Sequence, residues 1–302
     1  MRFAITTPTG RVGSKLVNEL LLRGGHQLTL LTRKSDSVRD AVGRGARAMQ
    51  GKLEDMDFFA RATEGVDALF LVIPMDSHSE NMFRDCTRII GSACNAIKKN
   101  SIPRVVFVSS IGTHLEKDTG PIHILREAEQ KLRDTAPNLT VLRPVFYMDQ
   151  VMGWMQDIAE EGAFYAPLAA RTGIPMIATR DVASFAADVL TDANWTGRRI
   201  LSLHGPREYS FAETAKILGK TLGTDVRYVE VKTDEAAKRL RRRGWREEAV
   251  TSNLELQRML GKGIADELPP SEWKIRPTTF EEFARKDFQP AFEKLATVGA
   301  ST

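Results

Sequence analysis

At 302 residues the chain is long enough to bury a large core, as one big domain or two unequal ones. Hydrophobic content of 42% and charged content of 27% are ordinary for a soluble globular protein and set aside a fibrous or disordered one. A net charge of +4 favours anionic ligands in general without indicating nucleic acid, and no apolar run approaches the ~20 residues that span a bilayer.

The chain opens on Phe3-Ala4-Ile5-Thr6-Thr7-Pro8-Thr9-Gly10-Arg11-Val12-Gly13-Ser14. A short apolar run breaks at a turn with two glycines, and Val12, Leu16, Val17, Leu20 and Leu21 then recur at helical spacing: strand, tight turn, helix. Such a turn aims backbone N–H groups and a positive helix end at one spot, which suits a phosphate or pyrophosphate. Gly10 lets the backbone approach the ligand, and Gly13 lets the helix pack on the strand. Thr7 stands where a dinucleotide loop would carry its first glycine. A β-branched residue is costly at positive φ and Pro8 favours an extended Thr7, so the expected left-handed turn falls at Thr9 or Gly10. Pro8 also brings no N–H to a phosphate. A strand so close to the first residue leaves no room for a signal peptide, giving the expectation of a cytoplasmic protein.

His26 to Leu31 reads as a second strand ending in Thr32-Arg33-Lys34. An acidic residue there would accept from a ribose 2′-OH; Arg33 and Lys34, with Arg11 nearby, suit a 2′-phosphate instead and favour NADP(H) over NAD(H), unless they are solvated surface charges. Ala46 to Gln50 makes a third strand, and a helix follows from Met56 to Thr63. Val66 to Ile73 is the near-continuous apolar run of a central parallel strand, ended by Pro74. A long helix spans Ser79 to Lys99 and holds Cys86 and Cys94 among apolar neighbours, so both are expected as buried thiols with no metal-ligand spacing. Arg104 to Ser109 is a fifth strand, Ile122 to Thr135 a helix, and Leu139 to Pro144 a sixth strand. Six strands alternating with helices predict an α/β, doubly wound parallel sheet with its ligand crevice at the strand C-terminal ends.

Beyond residue 150 the rhythm changes. Met148 to Glu160 is expected helical, and Gly162 to Ala169 irregular. A helix opens at Arg180, and Arg199 to His204 is a strand that could rejoin the sheet. Ser210 and Glu213 form a capping box for a helix to Leu222, and Val226 to Val231 is a short strand. The expected organisation is a dinucleotide-binding domain over 1–150, rejoined by 181–205, with 151–180 and 206–302 forming a smaller, mostly helical substrate region.

Together these pieces resemble the NmrA-like family of atypical short-chain dehydrogenases, over nearly the whole chain. Thr7-Pro8-Thr9-Gly10-Arg11-Val12-Gly13 is similar to that family's GATGxxG, Gly51 to Asp55 to its GDxxD, and Asp67 to Pro74 to its DAxFLxxP. Val108 to Gly112, Arg126 to Glu129 with Leu132, Thr140 to Pro144 with Phe146, Met148 and Asp149, Arg180 to Ala183, His204 to Pro206 and Arg276 to Phe280 follow in the family's order. The resemblance implies a Rossmann-type domain binding NAD(P) and a C-terminal region closing over a substrate cleft. It also implies either a reductase of quinones, triphenylmethane dyes or iminium-type compounds, or a regulator that senses the dinucleotide through protein contacts. Thr7, Thr9, Gly10, Arg11, Val12, Gly13, Arg33, Lys34, Ile73, Pro74, Ser109, Pro144 and Phe146 are the cofactor-binding candidates. Lys52 replaces the family's aspartate, where a group that only donates cannot make the same adenine contact. Gln150 stands where asparagine is common.

The Tyr-x-x-x-Lys pair by which short-chain dehydrogenases move a proton is absent where it should lie: His123 and Glu127 occupy the matching positions. Tyr228 and Lys232 match the spacing but fall on a strand far from the expected cofactor. Ser109 and His123 are the catalytic candidates, with His114 also near the cleft; a surface or capping role is the alternative for both histidines. A dyad is dispensable for an electron-poor acceptor, which takes hydride while the protein supplies positioning and excludes water. His114, Phe146, Tyr147, Met148, Trp154, Phe164 and Tyr165 are the substrate-pocket candidates, the aromatics serving either to stack on a flat acceptor or to pack a core. Asp149 and Asp181 are expected as structural hydrogen-bonding residues. The basic run Lys238 to Arg246 is flanked by Glu235, Glu247 and Glu248, which favours a solvated helix end over a nucleic-acid surface. A small-molecule substrate is the expected partner, with no nucleic acid, membrane or metal; the oligomeric state stays open.

Overall fold

The computed structural model describes residues 1–116, 119–264 and 266–299. Its centre is a parallel sheet. The N-terminal strands are β1 (Arg2–Thr6), β2 (Gln27–Thr32), β3 (Arg47–Gln50), β4 (Ala68–Val72), β5 (Arg104–Val108) and β6 (Asn138–Pro144). The later ones are β7 (Phe146–Tyr147), β8 (Ala163–Ala166), β9 (Ile174–Ile177), β10 (Arg198–His204), β11 (Glu208–Tyr209), β12 (Arg227–Glu230) and β13 (Lys274–Ile275). Among the described residues the main sheet has 8 strands in the order β13-β10-β6-β5-β4-β1-β2-β3. Every neighbouring pair runs parallel. The order reverses between β1 and β4, and a ligand crevice opens beyond the strand ends at such a switch point.

The long apolar runs of β1, β4 and β5 follow from being covered on both sides. Helices α1 (Gly13–Arg23), α2 (Arg39–Gly43), α3 (Met56–Ala62), α4 (Met82–Lys99), α5 (Ile122–Thr135), α6 (Met155–Glu161) and α7 (Thr179–Thr191) alternate with the strands. Phe59, Ile90, Ala93 and Leu132, from α3, α4 and α5, pack on one face of the sheet. Leu16 and Leu20 of α1 with Ala183 and Ala186 of α7 pack on the other. A third cluster joins Met148, Phe164, Phe211, Phe280 and Phe283 away from the main sheet. It is built by α8 (Phe211–Leu222), α10 (Glu247–Lys262), α11 (Phe280–Phe283) and α12 (Gln289–Gly299) with the short strands around them, while α9 (Thr233–Arg242) follows β12 outside the cluster.

Three differences from the sequence expectations have physical causes. The segment after Tyr147 is not one α-helix: 3₁₀ turns run over Met148–Trp154 before α6 begins. Asp149 in that stretch accepts from the Thr179 N–H (3.0 Å) and hydroxyl (2.6 Å) and from Lys15 Nζ (2.5 Å), and these tertiary bonds fix the local path. The stretch expected to be irregular contains β8, which pairs in parallel with β12 through Ala163↔Arg227 to Ala166↔Glu230. Its partner is too remote in sequence to leave a local signal. Lys274 and Ile275, from the region expected to close the cleft, add the edge strand beside β10.

Candidate functional site

The turn after β1 departs from expectation at its first residue. Thr7 itself takes the left-handed conformation, φ 47°, while Thr9 and Gly10 do not. The turn is closed by the Gly10 N–H donating to the Thr7 carbonyl at 2.9 Å. A Cβ on Gly13 would fall 2.1 Å from that same oxygen. The helix start is thus pressed against the Thr7 peptide, and the path out of β1 forces Thr7 into a region that costs a β-branched residue roughly 1–3 kcal/mol. The Thr6 hydroxyl accepts from the Val72 N–H (2.8 Å), locking β1 to β4 beneath the turn. No backbone acceptor meets the N–H groups of Arg11, Val12 and Gly13 among the described residues. Donors left over at a helix start suit the phosphates of a dinucleotide.

Below the loop is a cavity of about 590 Å³ lined by Thr7, Pro8, Thr9, Gly10, Arg33 and Pro74, among others. Arg33 is 79% exposed and lies 3.7 Å from Asp76, so its guanidinium reaches over the cavity from solvent. Lys34 follows it in the chain but does not line the cavity, and its carbonyl accepts from the Ser37 hydroxyl at 2.5 Å. Arg11 turns the other way, to Gln150 at 2.6 Å. Val12 and Gly13 are buried under the loop, where they shape it without lining the cavity.

Met75 joins this cavity to a second one, an apolar cleft of about 600 Å³. Ile73, Ser109, Ser110, Pro144, Phe146, Tyr147 and Gln150 line it from the ends of β4, β5 and β6. Its far wall comes from Leu125 of α5, from Leu256 and Leu260 of α10 with Ile264 beyond, and from Gly173, Ile174, Pro175 and Glu208. The α10 wall was missed in the sequence; apolar residues at every fourth position of a polar helix were the signal for it.

Several candidates lie elsewhere. Trp154 and Phe164 stack at 4.8 Å, with Phe211 edge-on to Trp154 at 5.3 Å, and Met148 is buried in the same cluster. Trp154, Phe164 and Met148 therefore do not line the cleft. Tyr165 donates to Glu161 at 2.5 Å, and its ring lies under the Arg239 guanidinium at 3.4 Å. His123 has Nδ1 2.6 Å from the Gly120 carbonyl and packs on Phe83. His114 is outside the cleft lining too, with its Nδ1 buried and unpartnered among the described residues.

Ser109 reaches the cleft, but its hydroxyl donates to Glu129 at 2.5 Å. That buried carboxylate also accepts from the Thr113 hydroxyl (3.0 Å) and from Arg143 Nε (3.0 Å) and Nη2 (2.6 Å); Arg143 pairs with Glu267 through its other nitrogen. Arg143 is held above its usual range by these carboxylates, against burial that acts the other way. Tyr147 is the one phenol in the cleft lining. Burial, and then the charge of Asp149, push it well above the usual tyrosine range, so it keeps its proton. Tyr228 donates to the carbonyls of Ala166 (2.8 Å) and Leu168 (2.6 Å), as a residue of the third cluster's packing. Asp181 accepts from the Thr278 N–H at 3.0 Å and hydroxyl at 2.8 Å. Four arginines of the basic run are paired: Arg239 with Glu161, Arg241 with Glu247, Arg242 with Glu235, Arg243 with Asp157. Among the described residues no group of acidic, histidine and cysteine side chains could hold a metal ion, and no helix is long and apolar enough to cross a membrane.

Residues 8–193 match the model of a family described as NAD(P)H-binding. The chain is 27% identical over 282 residues to an NAD(P)H azoreductase of Xenophilus azovorans, across 92% of this chain and 94% of that one. The triphenylmethane reductase of Citrobacter sp., solved with NADP(H), superposes with a TM-score of 0.78 at 17% identity, covering 95% of this chain and 99% of its own. NmrA, a negative transcriptional regulator solved with NADP, superposes with a TM-score of 0.69 at 17% identity, over 97% of each chain. Both superpositions speak for the shared fold.

Proposed function

The chain belongs to the NAD(P)H-binding family and is an NAD(P)H-dependent oxidoreductase; from that premise we propose that it is of the NmrA-like kind and reduces a small, flat, electron-poor organic acceptor, quinone-, iminium- or enone-like, with a preference for NADPH. The observation that carries this reading is the junction at Met75, where a polar cavity under a phosphate-binding turn runs into an apolar cleft. A dinucleotide laid along both would have its phosphates on the Thr9–Gly13 turn and its adenosine ribose beside Arg33 and Lys34. Its nicotinamide would lie among Ile73, Pro74, Ser109, Pro144 and Phe146. When bound, the reduced nicotinamide supplies the hydride.

The chain's own residues position the acceptor and keep water away from it. Leu125, Phe146, Leu256, Leu260 and Ile264 offer a flat molecule dispersion and little polarity. Residues 1–150 with 181–205 are read as the cofactor half, and 151–180 with 206–302 as the side that closes over the acceptor. The test is stopped-flow oxidation of NADPH and NADH against a panel of quinones, aromatic iminium ions and enones. Turnover of at least one class, faster at low NADPH than at low NADH, is expected. Tight NADP(H) binding with no turnover on any acceptor would overturn the reductase and leave a dinucleotide sensor.

A further inference from the structure

Among the described residues, the hydrogen-bonding side chains in the lining of the apolar cleft are Ser109, Ser110, Tyr147, Gln150 and Glu208, and of these only Ser109 is buried. Its backbone is fixed by its own N–H, which donates to the Leu142 carbonyl at 2.8 Å. Its hydroxyl donates to Oε1 of Glu129, and every other group on that carboxylate donates too. Thr113 and Arg143 Nε reach Oε1, and Arg143 Nη2 reaches Oε2. A carboxylate occupied by two N–H groups of one guanidinium accepts rather than donates, so the Ser109 proton has one place to go. Arg143 is anchored in turn by Glu267, from the segment beyond α10. The hydroxyl is thereby held in one orientation by groups from both sides of the cleft.

Such a hydroxyl offers the cleft oxygen lone pairs and no proton. Nothing donates to the Ser109 oxygen among the described residues, while the acceptors around it are in use. The Gln150 oxygen takes Arg11 at 2.6 Å, the Pro144 carbonyl takes the Ile111 N–H at 3.2 Å, and the Pro74 carbonyl meets the Cys86 thiol at 3.6 Å. The group that matches this oxygen is an N–H donor in an otherwise apolar setting. A nicotinamide laid beside Ile73, Pro74, Pro144 and Phe146 carries one such donor, the NH2 of its carboxamide. Buried without a partner, that NH2 would cost more than a bond to it gains. A quinone, an enone or a tertiary iminium ion has no proton to give this oxygen.

We infer that Ser109 binds the carboxamide NH2 of the nicotinamide as a fixed acceptor, and that Glu129, with Arg143 behind it, is the positioning residue that makes it one. This rests on the reading of the inner cleft as the place of the nicotinamide. The probe is the 3-acetylpyridine analogue of NADP⁺, in which a methyl group replaces the NH2 and the rest is unchanged. Calorimetry compares it with NADP⁺ for wild type, Ser109→Ala, Ser109→Cys, Ser110→Ala and Glu129→Gln. Wild type is expected to bind NADP⁺ about fivefold more tightly than the analogue. Ser109→Ala closes that gap by removing the oxygen. Ser109→Cys closes it with the volume and the donor to Glu129 retained, because a thiol sulfur is a weak acceptor, so the result does not hinge on the stability of the alanine variant. Ser110→Ala keeps the gap. Glu129→Gln, which can hand Ser109 an N–H of its own, narrows it, whereas a loss of stability alone would weaken both ligands together. Oxidised and reduced rings make the bond alike, so in turnover its loss falls on the KM for NADPH. Equal affinities in wild type, or a gap that survives both Ser109 variants, overturn the inference while leaving the cofactor site in place. If wild type binds neither dinucleotide, the reading of the cofactor site fails, and the inference with it.

Discussion

The cavity under the glycine turn and the apolar cleft beyond Met75 are nearly equal in size, about 590 and 600 Å³, yet they draw on the chain in different ways. The first is lined by the turns after β1, β2, β3 and β4, each the end of one βα unit and each close in sequence to the strand that positions it. The donors proposed for it are main-chain N–H groups, which any sequence able to make the turn can present. The second gathers side chains from residues 72 to 264, on strand ends, two helices and three short strands. A dinucleotide can therefore be held by local structure, while the choice of acceptor depends on how distant segments meet.

The largest expected effect falls on the first region. Gly13→Val adds a Cβ where only 2.1 Å separates it from the Thr7 oxygen, so calorimetry should find NADPH affinity down by more than about a hundredfold. Unchanged affinity would mean that the phosphates do not sit on this turn. Next comes a change on the cleft side. Ser109→Ala removes a donor from the buried Glu129 and should cost about 2 kcal/mol in denaturant unfolding, with kcat within about threefold of wild type. A collapse of kcat with stability intact would make Ser109 a proton donor and erase the contrast between a backbone-built site and a proton-poor cleft.

Arg33→Ala sharpens the first region. NADPH should weaken by at least about tenfold, or 1.4 kcal/mol, with NADH almost untouched. Equal losses would remove the 2′-phosphate assignment. The smallest effect belongs to Thr7→Gly. Relief of the left-handed threonine, offset in part by glycine's greater freedom in the unfolded chain, should raise unfolding free energy by about 1 kcal/mol. A loss of stability instead would show that the Thr7 side chain contributes more packing than its backbone costs.

Much of the fold was legible in the sequence because it is local and repetitive. The apolar run of β4, the amphipathic α4 and the Ser210–Glu213 capping box are written in consecutive residues and appear where periodicity puts them. The aromatic segment after β6 was harder. Phe146 and Tyr147 line the cleft, while Trp154 and Phe164, equally aromatic, face Phe211 in a separate core. Composition cannot separate these uses, since a ring against a ligand and a ring against another ring bury the same kind of surface.

The sequence by itself determined the glycine turn after the first strand, the alternation of strands with helices, and that His123 and Glu127 stand where a Tyr-x-x-x-Lys pair would, because each depends on residues within a few positions of one another. Tertiary structure alone decided that Thr7 takes the left-handed place of a glycine, that the Ser109 proton belongs to Glu129, and that Glu208 is the one charged side chain in the cleft lining among the described residues. Those outcomes depend on which groups meet across the fold. Helix α1 pressed onto a carbonyl, a carboxylate 20 residues from its serine, and β11 laid antiparallel to β9 leave no periodic trace in the chain.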